Sequence, residues 1–204
     1  MPMMSSSRSQ LYVLPREREM KEFFIAKVSR PERMGIFALV KPPAQARVRC
    51  SSLIYTIQVP WHVFGAFLRF QAGIAGVRAG IWFLNRKPVT KYDPVYYSGL
   101  PNVSSNGRIC YGAVSLYYKL RPRTFMERLY QKFWQTRFNG EIRPNYAPFK
   151  DKYGVMVTDP DDLFKKWEGA TQKNLPIEWI PDHWMRTIDR AIHSLAPVGV
   201  GHFS

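Results

Sequence analysis

Residues 100–112 read LPNVSSNGRICYG and place Cys110 in a turn-rich stretch. A thiol does chemistry as its thiolate, and for that it needs access and surroundings that favour the anion. Pro101 is expected to fix an extended approach to the segment. Asn106-Gly107 is a tight-turn dipeptide that supplies positive φ. Ile109 is an apolar anchor beside the cysteine. Arg108 stands two residues before Cys110 and favours the thiolate where its guanidinium points the same way. The bland alternative for Cys110 is a small buried hydrophobe, and the turn-rich loop argues against deep burial. Cys50, between Arg49 and Ser51, reads as a structural thiol. His62, His183, His193 and His202 lack metal-ligand spacing, and Gly73, Gly76 and Gly80 match neither a dinucleotide nor a P-loop pattern. No paired-carboxylate site stands out among 15 acids. Two isolated cysteines cannot build a structural zinc site of the usual kind.

The order Pro101-Asn102-Val103, Gly107, Ile109, Cys110 resembles the active-site signature of ubiquitin-conjugating enzymes. That signature runs His-Pro-Asn, an apolar residue, three residues, Gly, one residue, an apolar residue and the catalytic Cys. The chain keeps the spacing without a gap. It departs with Leu100 in place of the His, with Tyr111-Gly112 in place of Leu-Asp, and in lacking a downstream Trp-Ser-Pro element. It is also similar to bacterial and phage relatives of that fold, such as protein B of the PRTRC mobile-element systems, in Gly112 and in the aromatic run ending at Phe138-Asn139. The likeness spans about residues 81–138.

The resemblance implies an α+β fold in which an antiparallel sheet meander is flanked by helices, with a helical C-terminal extension. It implies Cys110 as the nucleophile that carries a ubiquitin-like modifier as a thioester. It also implies Asn102 as the amide that orders the loop and stabilises the oxyanion, where negative charge develops on the carbonyl oxygen. The partners implied are the modifier and an activating enzyme that uses the ATP. The conjugating protein itself needs no metal or other cofactor.

A second class of function follows from charge. Thirty Lys and Arg against 15 acids leave +15, which repels itself and attracts polyanions. Arg47/Arg49, Arg86/Lys87, Lys119/Arg121/Arg123 and Lys165/Lys166 interleave with Trp82, Tyr117, Tyr118 and Trp167. Guanidinium charge with aromatic faces suits a nucleic-acid backbone and exposed bases. On this alternative the chain is a non-catalytic basic subunit of the same fold, bound to nucleic acid or to an acidic protein in a phage particle or ribonucleoprotein. The contacts expected on this alternative are Arg47, Arg49, Arg86, Lys87, Lys119, Arg121 and Arg123.

The elements that must position these residues are read from periodicity. Residues 22–28 suit a first strand or a short helix. Residues 36–40 and 47–59 are strand candidates separated by Lys41-Pro42-Pro43, with Leu53, Tyr55, Ile57 and Val59 alternating as in a half-buried strand. Pro60 is expected to open a short helix over residues 61–70, and residues 76–85 to form another strand. Residues 87–100, with Pro88, Pro94 and Gly99, are expected to be extended but irregular. Phe125, Leu129 and Phe133, with Met126, Tyr130 and Trp134, make a broad apolar stripe on a helix over about residues 125–137, capped by Thr124. Asp159-Pro160-Asp161-Asp162 opens another helix. Trp184, Ile188 and Ile192 mark a last one over about residues 183–195.

The 204 residues, 46% of them hydrophobic, suffice for one cored domain with appendages. The expected division is a flexible tail over residues 1–18, the α+β domain over 19–142, and a two-helix extension over 143–204. No run of about 18 uncharged apolar residues occurs, so neither a transmembrane helix nor a membrane partner is expected. The N-terminus MPMMSSSRSQ lacks a secretory h-region and is short for a transit peptide. Two cysteines point to a reducing compartment with free thiols, hence a cytoplasmic protein or a component of a phage particle.

Overall fold

The computed structural model describes residues 24–29, 34–71, 74–111, 122–139, 155, 157, 159–170 and 185–197. The fold is α+β, with antiparallel and mixed sheets and flanking helices. Strands β1 (Phe24–Ser29), β2 (Met34–Lys41), β5 (Trp61–Gln71) and β6 (Ile74–Leu84) form sheet A in that spatial order, all antiparallel. Strands β4 (Leu53–Val59), β3 (Ala44–Cys50) and the short β7 (Arg137–Phe138) form sheet B. The β3–β4 pair is antiparallel and the β3–β7 pair parallel.

Sheet B grows out of sheet A. Lys41 faces His62 at the end of the β2–β5 pair, and Ala44 faces Val59 at the start of the β3–β4 pair. The register is unbroken across the gap, so β2–β3 and β4–β5 are the two arms of one long hairpin. Pro42, Pro43 and Pro60 interrupt it because proline brings no N–H to the ladder. A buried cluster holds the bend. His62 is fully buried, its Nδ1 2.8 Å from the Pro60 carbonyl and its Nε2 2.9 Å from the Tyr130 hydroxyl. A carbonyl only accepts, so Nδ1 carries the proton and the Tyr130 hydroxyl donates to Nε2. Burial foremost, with Lys41 nearby, pushes the His62 pKa down to about 4, although the Pro60 carbonyl favours the protonated ring. Lys41 Nζ pairs with Glu127 at 2.9 Å and lies 5.2 Å from the Tyr130 ring centre.

The expectation of a helix over residues 61–70 is overturned: this stretch is strand β5. Phe64, Ala66 and Leu68 point to one face and Val63 and Phe67 to the other, and both faces are covered. A strand buried on both sides shows no polar alternation, and Pro60 serves the bend rather than a helix start. The single strand expected over residues 47–59 is two, joined at Ser51-Ser52, where Ser51 takes the positive φ (51°) of a tight hairpin turn.

Helix α1 (Pro122–Gln135) buries Phe125, Met126, Leu129 and Phe133 against one face of the sheets. It begins two residues before Thr124, with Pro122 at the first position that proline favours. Arg137 and Phe138 leave the helix to pair with Arg49 and Cys50. Helix α2 (Pro160–Glu168) joins the same core through Leu163, Phe164 and Trp167. Asp159 caps it, accepting from the Asp161 and Asp162 amides at 3.1 Å each. It also covers the free edge of β4: Trp167 Nε1 donates to the Gln58 carbonyl at 2.7 Å, and Glu168 accepts from the Thr56 amide at 2.7 Å. Helix α3 (Ile188–His193) packs on the opposite face of sheet A, with Ile36, Val63, Trp82 and Leu84. Ile188 and Ile192 are buried there, and Trp184 lies outside the described residues. No helix among the described residues is long and apolar enough to cross a membrane.

Candidate functional site

The segment that carries Cys110 is strapped to the edge of β6. Leu100-Pro101-Asn102-Val103 forms a turn, with the Val103 amide donating to the Leu100 carbonyl at 3.2 Å and Asn102 at φ 62°. Proline before a residue of positive φ is the type II arrangement, and Asn tolerates that region better than most side chains. Pro101 therefore turns the chain where an extended approach was expected. A second turn follows, closed by the Gly107 amide on the Ser104 carbonyl at 2.8 Å, with Gly107 at φ 78°. Between them Val103 and Ile109 pair as a small antiparallel hairpin.

Backbone bonds fix this hairpin to the sheet. The Ile109 amide donates to the Ala79 carbonyl and the Ile81 amide to the Gly107 carbonyl, both at 2.9 Å. Gly80 and Gly107 lie over the buried Trp82 indole, and a Cβ on either would overlap that ring. Leu100 and Val103 are buried, and Ile109 packs against the same core. Tyr111 reaches across to donate to the Leu129 carbonyl of α1 at 3.2 Å, and burial pushes its hydroxyl well above the usual range. Cys110 emerges exposed from this frame.

Asn102 sits behind the cysteine. Its backbone carbonyl accepts from the Cys110 amide at 2.8 Å. Its side chain is buried, donating from Nδ2 to the Arg137 carbonyl at 3.0 Å and accepting from the Asn139 amide at 3.4 Å. The amide thus ties the Cys110 segment to β7. Arg108 Nη2 donates to the Ser194 carbonyl at 2.9 Å, at the C-terminal end of α3.

Cys50 is buried at the tip of β3. Burial and the carboxylate of Asp161 push its thiol up to about 11, which holds it protonated and inert.

Of the basic candidates, Arg47, Arg49, Arg86, Lys87 and Arg123 are exposed, whereas Lys119 and Arg121 lie outside the described residues. Arg47 and Arg49 share the outer face of β3, while Arg86 and Lys87 follow β6 in sheet A and Arg123 sits at the start of α1. The register adds Arg137, directly beside Arg49. Sequence reasoning missed this neighbour because a parallel pairing across so many residues leaves no local pattern. The interleaved-aromatic expectation is corrected for Trp82 and Trp167: both are fully buried and offer no face to a base. Tyr117 and Tyr118 lie outside the described residues. Among the described residues no cluster of His, Cys, Asp and Glu could hold a metal ion.

No model of a known protein family matches the chain, and searches of curated proteins and of solved structures find no significant relative.

Proposed function

We propose that the chain is a divergent ubiquitin-conjugating-like protein in which Cys110 carries a ubiquitin-like modifier. The observation that supports this most is an exposed thiol on a doubly braced hairpin, with the buried amide of Asn102 locking the hairpin from behind. The element order supports it as well, since four successive antiparallel arms lead into the cysteine segment and then into an amphipathic helix. The Cys110 thiolate attacks the thioester formed by an activating partner. The tetrahedral intermediate collapses with departure of the partner's thiolate, leaving the modifier on Cys110. An acceptor amine then attacks the same carbonyl, the Cys110 thiolate leaves, the amine gives up a proton, and an amide results. Asn102 acts here as a positioning residue. One amide hydrogen is spent on Arg137, and only the second is left for the oxyanion.

The test is a substitution pair. Cys110→Ala abolishes loading, whereas Cys110→Ser gives a slower, reductant-resistant ester in place of a reductant-labile thioester. Equal loading of wild type and Cys110→Ala would exclude Cys110 as the carrier.

A second reading rests on the exposed arginines: a non-catalytic subunit docked on a nucleic acid or a large anionic assembly, in a phage particle or ribonucleoprotein. Its binding would weaken steeply with salt, and negligible association with DNA or RNA at low salt would rule out its nucleic-acid form.

A further inference from the structure

The outer face of sheet B is a small platform of unusual make-up. One row across the three strands reads Ile54, Arg49, Arg137, and the next holds Thr56 and Arg47. All five side chains are exposed. Arg49 and Arg137 are nearest cross-strand neighbours of like charge, and Arg47 flanks them two residues along β3. Like charges side by side on a sheet destabilise it. Among the described residues no carboxylate forms an ion pair with any of the three. Two nearby acids are engaged elsewhere: Glu168 accepts from the Thr56 amide at the edge of β4, and Asp161 from Ser51 and Tyr55. Beside the arginines stands an exposed large apolar side chain, Ile54 at 56%, whereas Leu53 pairs with the buried Cys50 and lies on the other face of the sheet. Concentrated positive charge without a counter-charge among the described residues suits an anion, and the exposed Ile54 suits an apolar contact. A phosphate backbone supplies the first and not the second, and among the described residues this face has no aromatic side chain on which a base could stack.

The geometry points to this face as the docking surface for an acidic segment of a partner protein in which apolar residues alternate with Asp or Glu. Arg49 and Arg137 grip carboxylates in the forked manner open to guanidinium. Ile54 covers an apolar side chain between them. The surface asks nothing of the Cys110 thiol, so it stands apart from the thioester chemistry proposed above.

The test measures binding of fluorescent probes to the full chain. One probe is a short peptide alternating Glu and Leu, a second alternates Glu and Ser at the same length, and a third is a short DNA duplex. The Glu–Leu peptide should bind most tightly and weaken as salt is raised. Arg49→Ala with Arg137→Ala should weaken it about tenfold or more. Ile54→Ser should weaken the Glu–Leu peptide several-fold and leave the Glu–Ser peptide unchanged. Cys110→Ser should change none of these affinities. Melting temperatures no lower than wild type would show that the variants stay folded, as befits exposed positions. Tighter binding of the duplex than of the Glu–Leu peptide would overturn the proposal in favour of a nucleic-acid surface. Equal affinities for the two peptides, or indifference to the arginine pair, would overturn it outright.

Discussion

The β3–β4 turn and the hairpin over residues 103–109 are built alike, yet they hold their cysteines in opposite ways. Each is a tight turn with one residue of positive φ, Ser51 in the first and Gly107 in the second, and each has a cysteine at its margin. Each is braced by a polar side chain that makes a long-range tie. Asp161 accepts from Ser51 Oγ at 2.9 Å and from the Tyr55 hydroxyl at 3.2 Å, while Asn102 accepts the Cys110 amide through its backbone and clasps β7 through its side chain. The alternation of the strand decides which thiol is free. In β3, Arg49 points out and Cys50 in. At the second hairpin Ile109 packs on the core and Cys110 points out. Position on the pleat, more than residue type, separates the inert thiol from the available one.

The largest effect that would break or sharpen this contrast is thiol reactivity. With its pKa near 11 against an ordinary 9.0, Cys50 has about 100-fold less thiolate at neutral pH than an ordinary thiol, and burial slows it further. Mass-spectrometric mapping after brief alkylation should show the exposed Cys110 modified well before the buried Cys50. Labelling of Cys50 should climb as pH approaches its raised pKa, because the thiolate is the reacting form. Comparable rates at neutral pH would erase the distinction.

A second test acts at the root of the hairpin that carries Cys50. Below the ordinary histidine value of 6.5 the unfolded chain protonates His62, while the folded chain declines the proton until about pH 4. The unfolded state therefore binds more protons in that window, so stability falls as pH drops through it. The loss is complete below about pH 4 and amounts to about 3 kcal/mol. Denaturant melts across this range should be visibly flatter for His62→Gln than for wild type.

The third test loosens the other hairpin. Gly107→Ala places a Cβ into the Trp82 indole at a positive φ, and a loss of about 2–4 kcal/mol is expected. Ser51→Gly trades a strained φ for a lost hydrogen bond to Asp161 and should stay within about 1 kcal/mol of wild type. Between these two lies Asn102→Ala, at about 1–2 kcal/mol, which leaves the Arg137 carbonyl without its donor. Urea titrations rank these variants directly.

Local features of this architecture were legible in the sequence. The alternation of Tyr55, Ile57 and Val59, the apolar stripe of α1 and the Asp159 cap each depend on neighbours in the chain, and each is present. The turn at Asn106-Gly107 and the burial of Cys50 were readable for the same reason. Long-range features were not. Strand β5 is covered on both faces, so its residues carry no period that separates strand from helix. The bend reads as a helix start until the shared register of Lys41–His62 and Ala44–Val59 is known. Trp82 and Trp167 look like stacking aromatics among arginines, and only tertiary packing reveals them as core. The neighbourhood of Cys110 divides in the same way: its turns are local, but the ties from Asn102 to Arg137 and from Arg108 to Ser194 span distances that no local motif encodes.

The most direct test of the proposed carrier role is the intact mass of the protein after incubation in an ATP-replete extract of its own cells, read with and without dithiothreitol. The expected result is an ATP-dependent adduct of protein size on wild type that dithiothreitol removes and that Cys110→Ala never forms. A wild-type protein that stays at its unmodified mass, or an adduct that persists in Cys110→Ala, would contradict the assignment of Cys110 as the thioester carrier.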